Sequence, residues 1–163
     1  MNIRQRAAVL LLALLTLSGC GAKGQSPANS PEAARPYAVG DALTLVEAGT
    51  FDGQMAEADQ WVLAPQYGVD PATVVESAWY TAQDTSVSAD EVAVFILADN
   101  AAAQAAEEAC HQRVADQIKV CQTYAPTAIP NLEHAVIDRV DNTVLLAVGN
   151  PDRLPKALEE LGK

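Results

Sequence analysis

Positive charge is scarce in this sequence. Ten Lys and Arg stand against 21 Asp and Glu, a formal net charge of −11. The deficit deepens between Tyr37 and Lys163, where 20 acidic residues face 6 basic ones. A nucleic-acid partner needs the opposite balance, so that class is set aside. The acids are scattered and show no metal-loop spacing. Histidine is scarcer still, with only His111 and His134. His134 sits beside Glu133 without a companion at ligand spacing and reads as a boundary residue before a strand. Glu108 and His111 form one Glu-x-x-His, but di-metal helical sites need a second copy on a facing helix, and the sequence has none. Glu107, Glu108, His111 and Arg113 therefore read as a solvated helix face, and no metal or cofactor is expected. Absence of a Gly-x-Ser-x-Gly elbow and of a Gly-rich loop before a helix removes two further enzyme plans. Long apolar runs are missing too: Ala7 to Leu17 is about half the ~20 residues that a membrane-crossing helix requires.

What that short run does offer is a leader. Met1 to Arg6 carries two positive charges, the apolar run follows with only Thr16 polar, and Leu17-Ser18-Gly19-Cys20 closes it. This order is similar to the lipobox of bacterial lipoprotein precursors, in which the thiol receives a diacylglyceryl group and becomes the new N-terminus. Cys20 is thus the expected lipidation site, and two acyl chains give a stable anchor where one is marginal. Gly21 to Pro36 holds three prolines, small polar residues and no large apolar side chain, the composition of a disordered tether. The expected organisation is a signal peptide at 1–19, acylated Cys20 and tether over 20–36, and one domain over 37–163. The implied setting is the extracytoplasmic face of a membrane, with an envelope protein or a cationic ligand as the partner suited to an acidic domain.

Within the domain, Asp41 to Glu47 predicts a short helix stopped by Gly49, and Asp59 to Tyr67 another closed by Gly68. Asp70-Pro71 opens one turn that passes into a strand through Val74, Val75, Trp79, Tyr80 and Thr81. Ser88-Ala89-Asp90-Glu91 fits a capping box and argues for a helix, whereas Val92 to Leu97 is a β-branched and aromatic run that predicts a buried strand. Asp99 or Asn100 caps a long Ala-rich helix that Pro126 ends. Its core stripe falls on Ala103, Ala106, Cys110, Val114, Ile118 and Cys121. Val136 to Val140 and Thr143 to Val148 flank Asp141-Asn142 as hairpin arms, and Asn150-Pro151-Asp152 opens a closing helix. The expected fold class is α+β: a mostly antiparallel four-stranded sheet in the order strand, strand, long helix, strand, strand, helix, packed on one face by helices and preceded by short helices.

Several of these segments together resemble a known family. ADEVAVFILAD before the long helix, QIKVCQTYAPTAIPNLEHAVI and DNTVLLAVGNP resemble the domain of unknown function 4358 of Gram-positive lipoproteins, and YGVD at Tyr67 to Asp70 fits the same pattern. Matching positions include Tyr67, Gly68, Glu91, Val92, Phe95, Gln117, Tyr124, Pro126 and Leu132. The resemblance implies a lipoprotein setting and carries over no catalytic residue. Cys110 and Cys121 share a helix face but lie roughly 16 Å apart along it, too far for a disulfide, so two small buried thiols are expected. A non-catalytic binding or interaction module is the expected function, and an envelope hydrolase or thiol-redox enzyme assembled from scattered residues is the alternative.

Overall fold

The computed structural model describes residues 35–162. Cys20, the signal peptide and most of the predicted tether lie outside them. Helix α1 (Gly40–Glu47) is followed by strand β1 (Met55–Glu57), helix α2 (Gln60–Tyr67) and a 3-10 turn at Pro71–Thr73. Strands β2 (Val74–Ala82) and β3 (Glu91–Leu97) lead into helix α3 (Asn100–Tyr124). After a 3-10 turn at Pro126–Ala128 come the short helix α4 (Ile129–Glu133), strands β4 (Val136–Val140) and β5 (Thr143–Val148), and helix α5 (Leu154–Leu161). The strands form one antiparallel sheet in the order β1-β2-β3-β5-β4.

The α+β class and the element order follow the expectation, with two corrections. The sheet has five strands rather than four, because Met55 to Glu57 adds to β2 opposite Tyr80 to Ala82. Helices cover both faces of the sheet rather than one. Since side chains alternate along a strand, Ala93, Phe95 and Leu97 of β3 point to the face packed by α2 and α3. Val92 and Val94 point to the other, where α1 and α5 contribute Ala42, Leu45 and Leu154. β5 divides likewise, Val144, Leu146 and Val148 against Leu145 and Ala147. Two buried faces explain why both central strands are uninterrupted apolar runs instead of alternating ones.

Local chemistry sets the helix ends. The Asp59 carboxylate accepts from the Trp61 N–H to start α2, and Gly68, at φ 73°, supplies the left-handed residue that ends it. Asp99 accepts from the Ala102 N–H at 2.8 Å to cap α3, and Pro126 stops the helix by removing the next donor. The predicted stripe is buried at Ala103, Ala106, Cys110, Val114 and Cys121, and Ile118 packs at its margin. In the β4–β5 turn Asp141 takes φ 52°, a conformation that Asp tolerates better than most side chains. The closing helix starts later than Asn150-Pro151-Asp152 suggests. The Asn150 side chain accepts from the Asp152 N–H, which holds that stretch in a turn and defers α5 to Leu154.

A third correction concerns Ser88 to Glu91, which forms no helix. Ser88 Oγ accepts from the Asp90 N–H two residues on, and Glu91 enters β3 directly. The same polar residues that cap a helix also make a turn, and the apolar run behind them draws the chain into the sheet. At the N-terminal border, Arg35 donates to both carboxylate oxygens of Asp41 at 2.9 and 2.8 Å and to the carbonyl of Leu161 at 3.2 Å.

Candidate functional site: a cleft over the Glu91–Arg113 pair

Between the C-terminal half of α3, the end of β2 and the loop that joins β2 to β3 lies a cleft of about 520 Å³. Helical spacing builds one wall: Arg113, Gln117, Val120, Cys121 and Tyr124 recur every three or four residues and face it together. Trp79 and Thr81 of β2 and Glu91 of β3 form the opposite wall, and Thr85, Ser86 and Ser88 line the rim. The buried Asp90 fixes this loop. Its carboxylate accepts from the Asp52 N–H at 2.9 Å and from Asn131 Nδ2 at 2.8 Å.

At the floor, Arg113 and Glu91 form a two-pronged ion pair. Nε donates to Oε1 at 3.0 Å and Nη2 to Oε2 at 2.7 Å, with side-chain exposures of 10% and 2%. This corrects the reading of Arg113 as part of a solvated face: its charge is inside, over the Tyr67 ring at 4.3 Å from the centroid and 6.0 Å from that of Trp79. Cation–π attraction of this kind strengthens when the groups are desolvated. Burial disfavours the Arg113 cation, but the hydrogen bonds and charge of Glu91 outweigh it and hold the guanidinium above its ordinary pKa. Tyr67 is raised well above the usual phenol range, first by burial and then by the Glu91 charge. Its ring meets Trp79 and Phe95 edge to face, at 6.0 and 5.4 Å. Among the described residues neither the Tyr67 hydroxyl nor the Trp79 indole N–H, both buried, has a hydrogen-bond partner.

The thiols are free and buried, as the sequence suggests. Burial, reinforced by Glu91, pushes Cys110 up to about 12, and burial also raises Cys121, which borders the cleft. Neither is an activated thiolate. The structure keeps the histidines out of the cleft: His111 is exposed on α3, and His134 ends α4 with Nδ1 at 2.8 Å from the Pro130 carbonyl. Glu107 of the predicted solvated face pairs with Arg139 of β4 at 2.8 Å. Among the described residues no group of His, Cys, Asp and Glu is arranged to hold a metal ion, and no helix is long and apolar enough to cross a membrane.

Comparison with known families places this cleft in context. The family described as Domain of unknown function (DUF4358) matches residues 48–149, from the end of α1 to the end of β5. The chain belongs to this family. No curated protein and no solved structure matches it. The matched span includes every cleft residue, so the cleft is a feature of the DUF4358 domain itself. Glu91, Gln117 and Tyr124, three of the positions that carry the sequence resemblance, line it, and Tyr67 lies beneath its floor. Sequence reasoning gave none of them a functional place. The available signal was position: Arg113 follows Cys110 by three residues and so borders the apolar stripe of α3, and Glu91 directly precedes an apolar strand.

Proposed function

We propose that the chain is a membrane-anchored extracytoplasmic lipoprotein, acylated at Cys20, whose DUF4358 domain is a non-catalytic binding module with the α3–β2 cleft as its site. The observation that carries the binding reading is the state of the reactive groups around the cleft. Among the described residues the only charges on its lining, Glu91 and Arg113, are bonded to each other, and the one lining thiol, Cys121, has its pKa raised by burial. A hydrolase or thiol-redox enzyme needs the reverse, a freed base or a thiol of lowered pKa. An envelope protein or cationic ligand approaching the acidic exterior would be attracted by it, in a contact that weakens as salt rises.

Fractionation and turnover test the two parts separately. Cys20→Ala is expected to leave uncleaved precursor or to move the protein to the soluble fraction; a cleaved Cys20→Ala product that still partitions with detergent refutes the anchor. Mature protein is expected to turn over nothing in a broad hydrolase and redox screen and to melt at the same temperature with and without chelator. Turnover abolished by changing one cleft residue would replace the binding module with the enzyme.

A further inference from the structure

We infer that the cleft takes an uncharged, hydroxyl-rich ligand, a short glycan segment; this rests on the binding reading above. Charge decides the first part. The guanidinium of Arg113 is neutralised at 2.7 Å by Glu91, and no other ionisable carboxylate or cation lines the walls. An anion entering the cleft would meet an arginine whose charge Glu91 already balances, with that carboxylate beside it. A cation would meet that arginine. Either ion loses its hydration and gains no free counter-charge.

Polarity decides the second part. Ser86 Oγ already donates to Asp84 and Ser88 Oγ already accepts from the Asp90 N–H, whereas Thr81 and Thr85 offer hydroxyls, and Gln66 and Gln117 amides, groups that both donate and accept. A purely apolar ligand would strand them, whereas sugar hydroxyls and acetamido groups answer both roles. The Trp79 indole N–H lies behind this wall, buried and without a hydrogen-bond partner among the described residues. Tyr124, 79% exposed at the end of α3, presents an open aromatic face at the mouth, against which the C–H face of a sugar ring can lie. A cleft of about 520 Å³ falls within the roughly 300–1,000 Å³ usual for small-molecule sites. A neutral extended peptide is served less well, since peptide capture of that kind uses a free strand edge, and here β1 already pairs with β2 at Thr81.

The test uses the mature, detergent-solubilised chain carrying Trp61→Phe. Trp61 is 89% exposed and not part of the cleft, so the change leaves Trp79 as the one indole of the chain. Chitotetraose, tetraglycine, tetraglutamate and spermidine are titrated in turn, with indole emission and saturation-transfer NMR as readouts. Chitotetraose is expected to shift Trp79 emission with an affinity that changes little between low and high salt. Tyr124→Ala and Gln117→Ala are expected to weaken it about tenfold, a loss of ~1.4 kcal/mol, with melting temperature held. Tighter binding of tetraglutamate or spermidine, or of tetraglycine over the sugar, overturns the glycan inference and leaves the binding module standing. Silence from all four probes overturns the inference and, with it, the assignment of the cleft as the binding site. Chitotetraose binding unaffected by both substitutions also overturns it, because the sugar then sits elsewhere.

Discussion

Separating Glu91 from Arg113 is expected to be far more damaging than removing both. The pair is almost fully withdrawn from water, with side-chain exposures of 2% and 10%, so the discount that applies to surface ion pairs does not apply here. Glu91→Leu would leave a guanidinium buried over Tyr67 with no carboxylate; Arg113→Met would leave the carboxylate and also remove the contact with the Tyr67 ring. Breaking a buried pair from one side costs about 3–5 kcal/mol, whereas replacing both partners by apolar residues of similar volume is often neutral or stabilising. Each single variant should therefore lose ~3–5 kcal/mol, and the double variant Glu91→Leu/Arg113→Met should return to within ~1 kcal/mol of the parent. For a domain of this size, each kcal/mol moves Tm by about 3–4 °C, so each single variant should melt ~10–20 °C lower. Urea unfolding of all four proteins, followed by fluorescence and circular dichroism to verify one transition, yields the coupling energy. Single losses below ~1 kcal/mol, or a double variant that loses the sum of the two, would refute the claim that the pair is a desolvated unit.

Three further outcomes follow from other contacts. Gly149→Ala places a Cβ 3.0 Å from Phe51 Cδ1 and 3.2 Å from the Thr50 carbonyl, and overpacking of this kind should destabilise by ~1–3 kcal/mol; an unchanged urea midpoint would show that Phe51 moves freely. Cys110 is raised in the folded protein to about 12, so its contribution to stability is complete below the unfolded thiol value of ~8.5 and erodes as pH climbs from there towards 12. Labelling by a thiol reagent near pH 8 should accordingly track unfolding, and rapid reaction of both buried thiols in native protein would contradict this. For Asp41, burial opposes ionisation, but the hydrogen bonds from Arg35 and the Ala38 N–H prevail and lower its pKa. Its contribution is present above the ordinary carboxylate value of ~4 and is lost as pH falls below it. Arg35→Ala should cost no more than ~1 kcal/mol, since Arg35 is half exposed, and should flatten the acid limb of the stability profile; an unaltered limb would show that Asp41 is not its source.

The elements that sequence makes legible are those whose signal is local. Ala-rich propagation between Asp99 and Pro126 defines α3, the run from Val92 to Leu97 defines β3, and Asp141 sits where the hairpin needs positive φ. β1 escapes because three residues, Met-Ala-Glu, are too few to show a period. The second covered face had a readable sign: β3 and β5 are apolar at successive positions, which a strand wet on one side would not be. The floor of the cleft is harder, because Glu91 and Arg113 are 22 positions apart and meet only through the packing of α3 on β3. No spacing in the chain encodes that crossing. Glu108 and His111 on the same helix are exposed, as a solvated face requires, while Arg113 turns inward to Glu91.

The strand order also dictates how the chain must assemble in time. β2 and β3 close through a short loop, β1 joins β2 across α2, and β4 with β5 makes a tight hairpin, so each half forms from one continuous stretch of chain. Within the sheet, the β3–β5 ladder alone joins the halves, across an excursion that includes the 25 residues of α3. Of the strand pairings in the sheet, that junction closes the longest loop, and both apolar layers depend on it, since β3 and β5 supply residues to each. The amides along that seam, where Val94 pairs with Leu145, should therefore exchange with solvent only when the whole domain opens.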